Sequence, residues 1–273
     1  MSPEASPGPV EPDEMVLDVL GSSSGHPTAD RDTTSLLVAS SDGYTLLECP
    51  GGIVHKLARR GLRPADVRRL ILSHDHVDHV YGFPHLMQAL AIAGETAGVE
   101  IAAPAQCLAT VRAMIAAHRL DRSHYPPVHA LEIDLEEGFE IPAMGSTRIH
   151  CTPVSHGRDT VAVRFDVVDA SLCYSADTRR CDNVARLALG ADMLLHDCAG
   201  PQRLSERFSD GHSSAREAGE IAAAAGVSCL VLLHLGVSEP TLVEECGREA
   251  AGVFGGEVIV ASDGARWRLP RAD

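Results

Sequence analysis

Apolar residues recur along this chain in two rhythms. Short, nearly unbroken apolar runs closed by Gly, Ser, Asp or His alternate with longer stretches in which apolar positions return every third or fourth residue. The first rhythm predicts strands covered on both faces, the second helices with one covered face. Strands are expected at Met15 to Leu20, Ser35 to Ala39 and Thr45 to Glu48, separated by turn residues at Gly21 to Gly25 and Ser41 to Gly43. A helix over Ile53 to Arg60 stops at Gly61, and Pro64-Ala65-Asp66 leads into a strand that ends near Leu72. Helices over Pro84 to Gly94 and Ala105 to Ala117 flank a strand at Val99 to Ala102. The second half opens with strands at Val128 to Ile133, Phe139 to Ile141, Arg148 to Thr152, Thr160 to Asp166 and Ser171 to Ser175. It then alternates helices (Cys181 to Leu189, Ser213 to Ala225, Thr241 to Val253) with strands (Met193 to His196, Cys229 to His234, Glu257 to Val260).

Two strand-rich halves, each closing in helices, describe an α/β protein, and neither a tandem repeat nor a second domain interrupts the pattern. With 273 residues, 45% hydrophobic and 22% charged, the chain can bury a substantial core. Residues 15 to 273 therefore read as one compact domain. Met1 to Glu14, with four prolines, three glutamates and no basic start or apolar centre, reads as a disordered tail rather than a signal peptide. No apolar run approaches the ~18 residues of a membrane span, so the expectation is a cytoplasmic protein that does not enter membranes, acting alone or as a homodimer. Eight cysteines without a C-x-x-C pair, several inside apolar runs, read as reduced core residues, Cys198 among them.

Charge narrows the partners. The formal net charge is −15, whereas a protein that holds a long polyanion gains most of its affinity from Lys and Arg. A small-molecule or nucleotide substrate is expected rather than long nucleic acid. Arg59, Arg60, Arg63, Arg68 and Arg69 do cluster, and they read as the solvated face of a helix and the turn after it.

Candidate chemistry is concentrated in His74-Asp75-His76-Val77-Asp78-His79, directly after a strand-like run. If the backbone leaves that strand extended, His74 and His76 project to the same side and can share a cation. Asp78 and His79 follow where the chain turns, and would meet the same cavity from another direction. Imidazole nitrogens with carboxylate oxygens suit Zn²⁺ and, less selectively, Mn²⁺ or Fe²⁺.

The string resembles the HxHxDH motif of the metallo-β-lactamase superfamily. Residues matching that family's later motifs follow in order: His156 in Cys151-Thr152-Pro153-Val154-Ser155-His156-Gly157, Asp177 in Cys173-Tyr174-Ser175-Ala176-Asp177-Thr178, and His234 closing Cys229 to Leu233. Singly, an Asp or His at a strand end would read as a turn, cap or hydrogen-bonded residue; the order of the set reverses that. The resemblance implies a four-layer αββα sandwich with two Zn²⁺ ions at one edge. One would take His74, His76 and His156, the other Asp78, His79 and His234, with Asp177 and a water or hydroxide between them.

Within the superfamily, Leu20-Gly21-Ser22-Ser23-Ser24-Gly25-His26-Pro27-Thr28 is similar to the Gly-rich opening of the ribonuclease Z branch. Leu194 to Ala199 resembles its His-Glu-Ala-Thr segment, and His212 to Ala218 its His-Ser-Thr segment. The implied pair is Asp197 orienting His212, which protonates a leaving oxygen, while Asp78 takes the proton of the attacking water. The plainer reading of His212 is a residue ahead of a helix capped by Ser213, with Arg216 in the first turn. Two departures point away from tRNA. That branch usually inserts a tRNA-holding arm between its third His and its bridging Asp, whereas only 21 positions separate His156 from Asp177. In addition, Pro27 to Asp32 is more acidic than its counterpart. The short spacing looks more like the small cyclic-phosphodiesterase relatives.

The first expectation is therefore a phosphodiesterase acting on a nucleotide or other small phosphodiester. A hydrolase of a thioester, lactone or sulfate ester, tRNA 3′ processing, and a metal-binding protein without catalysis stand as alternatives. Tyr81 and His85, and His118, Arg119, His124 and Tyr125 between the halves, keep open roles.

Overall fold

The computed structural model describes residues 10–136, 138–143, 145–208 and 211–270. Of the stretch read as a tail, 1–9 lies outside the described residues, and Glu14 pairs with Arg268.

In chain order the elements are β1 (Met15–Gly21), β2 (Ser35–Ser40), β3 (Gly43–Leu47), α1 (Ile53–Arg59), β4 (Val67–Ile71), α2 (Val77–Val80), α3 (Phe83–Ile92), β5 (Val99–Pro104), α4 (Ala105–His118), β6 (Val128–Ile133), β7 (Phe139–Ile141), β8 (Arg148–Pro153), β9 (Val161–Asp166) and β10 (Ser171–Tyr174). They continue with α5 (Asp182–Leu187), β11 (Met193–Asp197), α6 (Ala215–Ala225), β12 (Cys229–Leu233), α7 (Pro240–Phe254), β13 (Glu257–Val260) and β14 (Arg266–Leu269).

Two seven-stranded sheets result, ordered β14-β1-β2-β3-β4-β5-β6 and β13-β12-β11-β10-β9-β8-β7. Each is antiparallel in one half and parallel in the other, since β3 to β6 run parallel, as do β10 to β13. Period-two alternation sorts the side chains. Leu17, Val38, Ile71, Leu172, Leu195 and Val231 point between the sheets into one core. Their neighbours Leu37, Leu46, Leu70 and Ile101 face α1, α3 and α4 on one outer side, and Cys173, Leu194, Leu230 and Leu232 face the helical layer of α5 to α7 on the other. The four layers are α, β, β, α, the architecture that the resemblance implied. Helix α6 comes close to α7 because Gly219 has no side chain: a Cβ there would lie 2.6 Å from Val253 Cγ2 and 2.7 Å from the Ala250 carbonyl.

Three sequence readings need correction. β14 escaped the apolar pattern because Arg266-Trp267-Arg268-Leu269 has only two apolar positions, and its partner β1 is some 250 residues away in sequence; Arg266 donates to Asp18 across that pair. The arginine cluster is not simply a solvated face: Arg60 is 5% exposed beside Asp18, and Arg69, 2% exposed, bonds Glu100 and the Pro142 carbonyl. Ser213 is not the helix cap. Ser214 is, accepting from the Glu217 amide while the Glu217 carboxylate accepts from the Ser214 amide, a reciprocal capping box.

The cysteines are all free, and all but Cys181 are buried. Exposed positions at His85, Tyr81, His118, Arg119 and His124 place those residues on the surface, with the Tyr125 hydroxyl donating to Gln88.

Candidate metal centre

Strands β1, β3, β4, β8, β10, β11, β12 and β13 all deliver their C-terminal ends to one edge of the sandwich. The segments that follow them carry the polar residues, the placement expected where loops leave a sheet that is itself committed to packing.

Beyond β4, the Leu72 amide continues the ladder to the Ala102 carbonyl, and the chain then bends into His74. The Ser73 hydroxyl meets His74 Nδ1 at 2.9 Å, which turns His74 Nε2 inward. His76 precedes the single turn α2, whose first residues are Val77 and Asp78 and whose third, His79, is buried. His74 Nε2 and His156 Nε2 each lie 3.0 Å from His76 Nδ1. Nitrogen ligands about 2.0–2.1 Å from a tetrahedral Zn²⁺ stand roughly 3.3 Å apart, so three imidazoles already converge as one cation requires. His156 is held from behind by the Gly211 carbonyl, 2.8 Å from its Nδ1, and a Cβ on Gly211 would collide with that same nitrogen at 2.8 Å.

The second group comes from opposite sides. Asp78 Oδ2 lies 3.4 Å from His79 Nε2 and 3.7 Å from His234 Nε2. Asp177 joins the groups: its Oδ2 is 3.2 Å from His234 Nε2, 3.3 Å from His79 Nε2 and 3.7 Å from His74 Nε2. All seven residues read from the sequence thus gather into two adjoining sets, His74, His76, His156 and Asp177, and Asp78, His79 and His234, with donor atoms within 4.8 Å of one another in each and Asp177 reaching donors of both.

Asp197 sits behind the second set. Its Oδ1 is 3.3 Å from His234 Nδ1, and its Oδ2 is 3.0 Å from His212 Nδ1 while also accepting from the Thr178 and Ser213 amides. One buried carboxylate therefore orients both histidines, and the His212 ring stacks on His234 with centroids 5.1 Å apart.

Residues 48–235 match the family model of the beta-lactamase superfamily domain. The chain belongs to this superfamily. A ribonuclease Z of Haloarcula marismortui is 28% identical over 309 aligned positions that take in 95% of this chain and 99% of the relative. Another, of Mycobacterium bovis, is 27% identical and covers 91% of this chain and 96% of its own. Among solved structures, the metallo-beta-lactamase fold protein YhfI of Bacillus subtilis superposes with a TM-score of 0.81 at 25% identity, over 94% of this chain and 99% of that one. The short form of human tRNase Z gives 0.76 at 17% identity, over 93% and 99%, a likeness of fold. As a member of the beta-lactamase superfamily with these relatives, the chain is a metal-dependent hydrolase.

The donor chemistry of this superfamily member fits divalent cations. The Nε2 atoms of His79 and of His234, and Asp177 Oδ1, are buried and turned into the centre without a satisfied hydrogen bond, a loss of roughly 1–3 kcal/mol for each such group unless a ligand compensates it. Burial and the neighbouring imidazoles lower His74, and burial lowers His76 and His156, so all three present neutral nitrogens. Burial also opposes charge on His79 and His234, but the surrounding carboxylates, Asp177 foremost, outweigh it, raising His79 well above its usual value and His234 to about 10. Asp78 and Asp177 are driven in the other direction: burial resists ionisation, and the histidines overcome it.

Among the described residues, three of the four non-glycine positions with positive φ lie here, Glu48 (65°), Ala176 (55°) and His234 (56°). Left-handed backbone costs an L-residue roughly 1–2 kcal/mol, and these three positions aim side chains of the site.

Sequence reasoning missed Glu48. Fully buried at the end of β3, it accepts from the Ser73 amide and the Tyr174 hydroxyl, and its Oε2 stands 3.5 Å from His79 Nδ1. The available signal was a carboxylate terminating the apolar run Tyr44 to Leu47, one strand before the histidine string. Tyr174, read as a strand residue, and Thr178, given no role from the sequence, brace Glu48 and, through the Thr178 amide, Asp197.

Proposed function

We propose that the protein is a dinuclear phosphodiesterase acting on a nucleotide or another small phosphodiester. His74, His76 and His156 would hold one Zn²⁺ (or Mn²⁺ or Fe²⁺) and Asp78, His79 and His234 a second, with Asp177 shared. Divalent cations supply ionised water at neutral pH and counter-charge for phosphoryl oxygens.

The chain's own residues do the rest. Asp78 is the carboxylate placed to accept the proton of the attacking water. His212 donates to the departing alkoxide: its Nδ1 is tied to Asp197, which leaves Nε2 for the substrate, and although burial opposes charge, the Asp197 hydrogen bond outweighs it and raises His212 above its usual value. A new P–O bond forms to water, the ester P–O bond breaks, and the products are a phosphomonoester and an alcohol. The observation that carries this reading is the shared Asp197. A scaffold that only bound metal would need a partner for His234 but not a second histidine on the same carboxylate.

The relatives' name supports a second reading, tRNA 3′ processing, since the similarity runs nearly end to end. Against it stand the net charge of −15 and the space between His156 and Asp177, which β9 and β10 consume. The alignment to the Haloarcula enzyme is also longer than this whole chain, so that relative carries segments absent here. Purified, metal-loaded protein should cleave bis(p-nitrophenyl) phosphate or cyclic nucleotides and leave precursor tRNA, thioesters and lactones largely untouched. Turnover of a thioester or lactone without phosphodiester cleavage would reject the proposal, and faster processing of precursor tRNA would transfer it to the second reading.

A further inference from the structure

Next to the His234 and His212 rings lies a cavity of about 240 Å³, and its walls differ from the rest of the centre. Leu204 and Phe208, from the 3-10 segment after β11, face Val237, from the loop after β12, and Arg207 stands exposed among the lining residues. Phe208 and Val237 flank Gly200: a Cβ there would come within 3.3 Å of Phe208 Cε1 and 3.2 Å of Val237 Cγ1, so a side chain at 200 would intrude on the cavity wall. Among the described residues, no carboxylate or amide side chain lines this space.

The position of the cavity fixes which part of a substrate can use it. A leaving oxygen within reach of His212 must carry its substituent away from the shared Asp177, and the space bordered by His212 and His234 is this one. Its walls fix the chemistry. An aromatic ring with two branched aliphatic chains beside it suits a flat ring system, and base–aromatic stacking is tolerant of base identity, with Ser24 and Arg207 as the polar side chains of the lining besides the two histidines. Its volume of about 240 Å³ is below the roughly 300–1,000 Å³ of pockets that enclose drug-sized ligands and has room for one base.

We infer that the Leu204, Phe208 and Val237 cavity receives the base of a nucleoside leaving group, so that the substrates are phosphodiesters whose departing alcohol is a single nucleoside, read by shape rather than by base identity. This rests on the phosphodiesterase reading above and makes it specific.

Isothermal titration of the zinc-loaded protein with adenosine 5′-monophosphate and with ribose 5-phosphate isolates the base, since the two share phosphate and sugar. The nucleotide should bind at least tenfold more tightly. Phe208→Ala should reduce that advantage by about 5- to 100-fold, the range for loss of one stacked base, or to nothing if the advantage is smaller. Val237→Trp, which fills the space, should abolish it, and both variants should bind ribose 5-phosphate within twofold of the parent. Uridine 5′-monophosphate should bind the parent within about fivefold of the adenine nucleotide. Equal binding of nucleotide and sugar phosphate by the parent overturns the inference without any variant. An advantage that survives both substitutions overturns it as well. If ribose 5-phosphate binds and bis(p-nitrophenyl) phosphate is cleaved while the base adds nothing, only the cavity assignment falls. If neither ligand binds and the diester is not cleaved, the phosphodiesterase reading falls with it.

Discussion

The two ends of the sandwich are made by the same strands on opposite terms. At the edge that receives the C-terminal ends of β3, β4, β10, β11 and β12, Glu48, His74, His79, Asp177, Asp197 and His234 are buried together, and three residues hold left-handed backbone. At the opposite edge, where β2 turns into β3 and β8 begins, Ser40 and Asp42 are half-buried, Ser146 is exposed, Thr147 is buried, and their hydrogen bonds are ordinary: Asp42 accepts from the Ser146 and Thr147 amides, and the Thr147 hydroxyl donates to Ser40. Buried ionisable groups and strained backbone lower stability unless something compensates; Asp18, Arg60 and Arg69 are buried elsewhere in ion pairs, but the concentration of such groups at one end marks where the fold gives up stability for chemistry. Substitutions at the first end should cost activity and metal; substitutions at the second should cost stability alone.

The largest effect should follow Asp177→Ala, because its Oδ2 approaches donors of both sets. Metal analysis should show both ions weakened, and phosphodiesterase activity should fall on the order of 10³-fold or more, the equivalent of several kcal/mol of transition-state stabilisation. Retention of both ions with near-normal turnover would dissolve the contrast between the two ends. Next in size, His212→Ala should slow esters with poor leaving groups by about 10²–10⁴-fold and p-nitrophenyl esters far less, with metal content unchanged. Equal slowing of both substrates would remove His212 from the acid role. Smaller again is Glu48→Gln. It keeps the shape of the side chain but removes the charge 3.5 Å from His79 Nδ1, and loss of such an outer partner usually costs about 10–100-fold in metal affinity. The loss should fall on one ion of the two, visible as a biphasic zinc titration.

Legibility in the sequence divides along the same line. His74, His76, Asp78 and His79 could be read from their density after one apolar run, and His156, Asp177 and His234 from the order in which strand-end motifs match the family resemblance, since singly each would have read as a turn, cap or hydrogen-bonded residue. The paired sheets followed from the apolar runs. What escaped depends on contacts between segments distant in sequence. Glu48 looks like any strand-end glutamate until Ser73 and Tyr174 are folded onto it. Arg60 and Arg69 look solvated until Asp18 and Glu100 are placed beside them. The cap moved from Ser213 to Ser214 because Ser213 is occupied elsewhere, its hydroxyl donating to the Thr178 carbonyl. The Phe208 cavity arises from a 3-10 segment and a loop, neither of which has a periodicity to read.

The smallest effect sharpens the comparison from the far end. Burial alone would raise Asp42, but its hydrogen bonds from Thr147 and Ser146 outweigh it, and its folded value lies below the ordinary one. A carboxylate whose folded value is depressed stabilises the protein above its unfolded value, about 3.9, and that contribution disappears as pH falls through the folded value. Asp42→Ala should therefore lower stability by roughly 1 kcal/mol at neutral pH. In denaturant titrations the gap from the parent should hold constant above about pH 5 and close progressively below pH 4. Activity and zinc content should stay at the parent's level throughout, because nothing that Asp42 touches reaches the strand ends that build the metal centre. A loss of turnover or zinc at neutral pH in this variant would mean that the two ends are coupled through the strands, and that the division of labour between them is not as the side chains suggest.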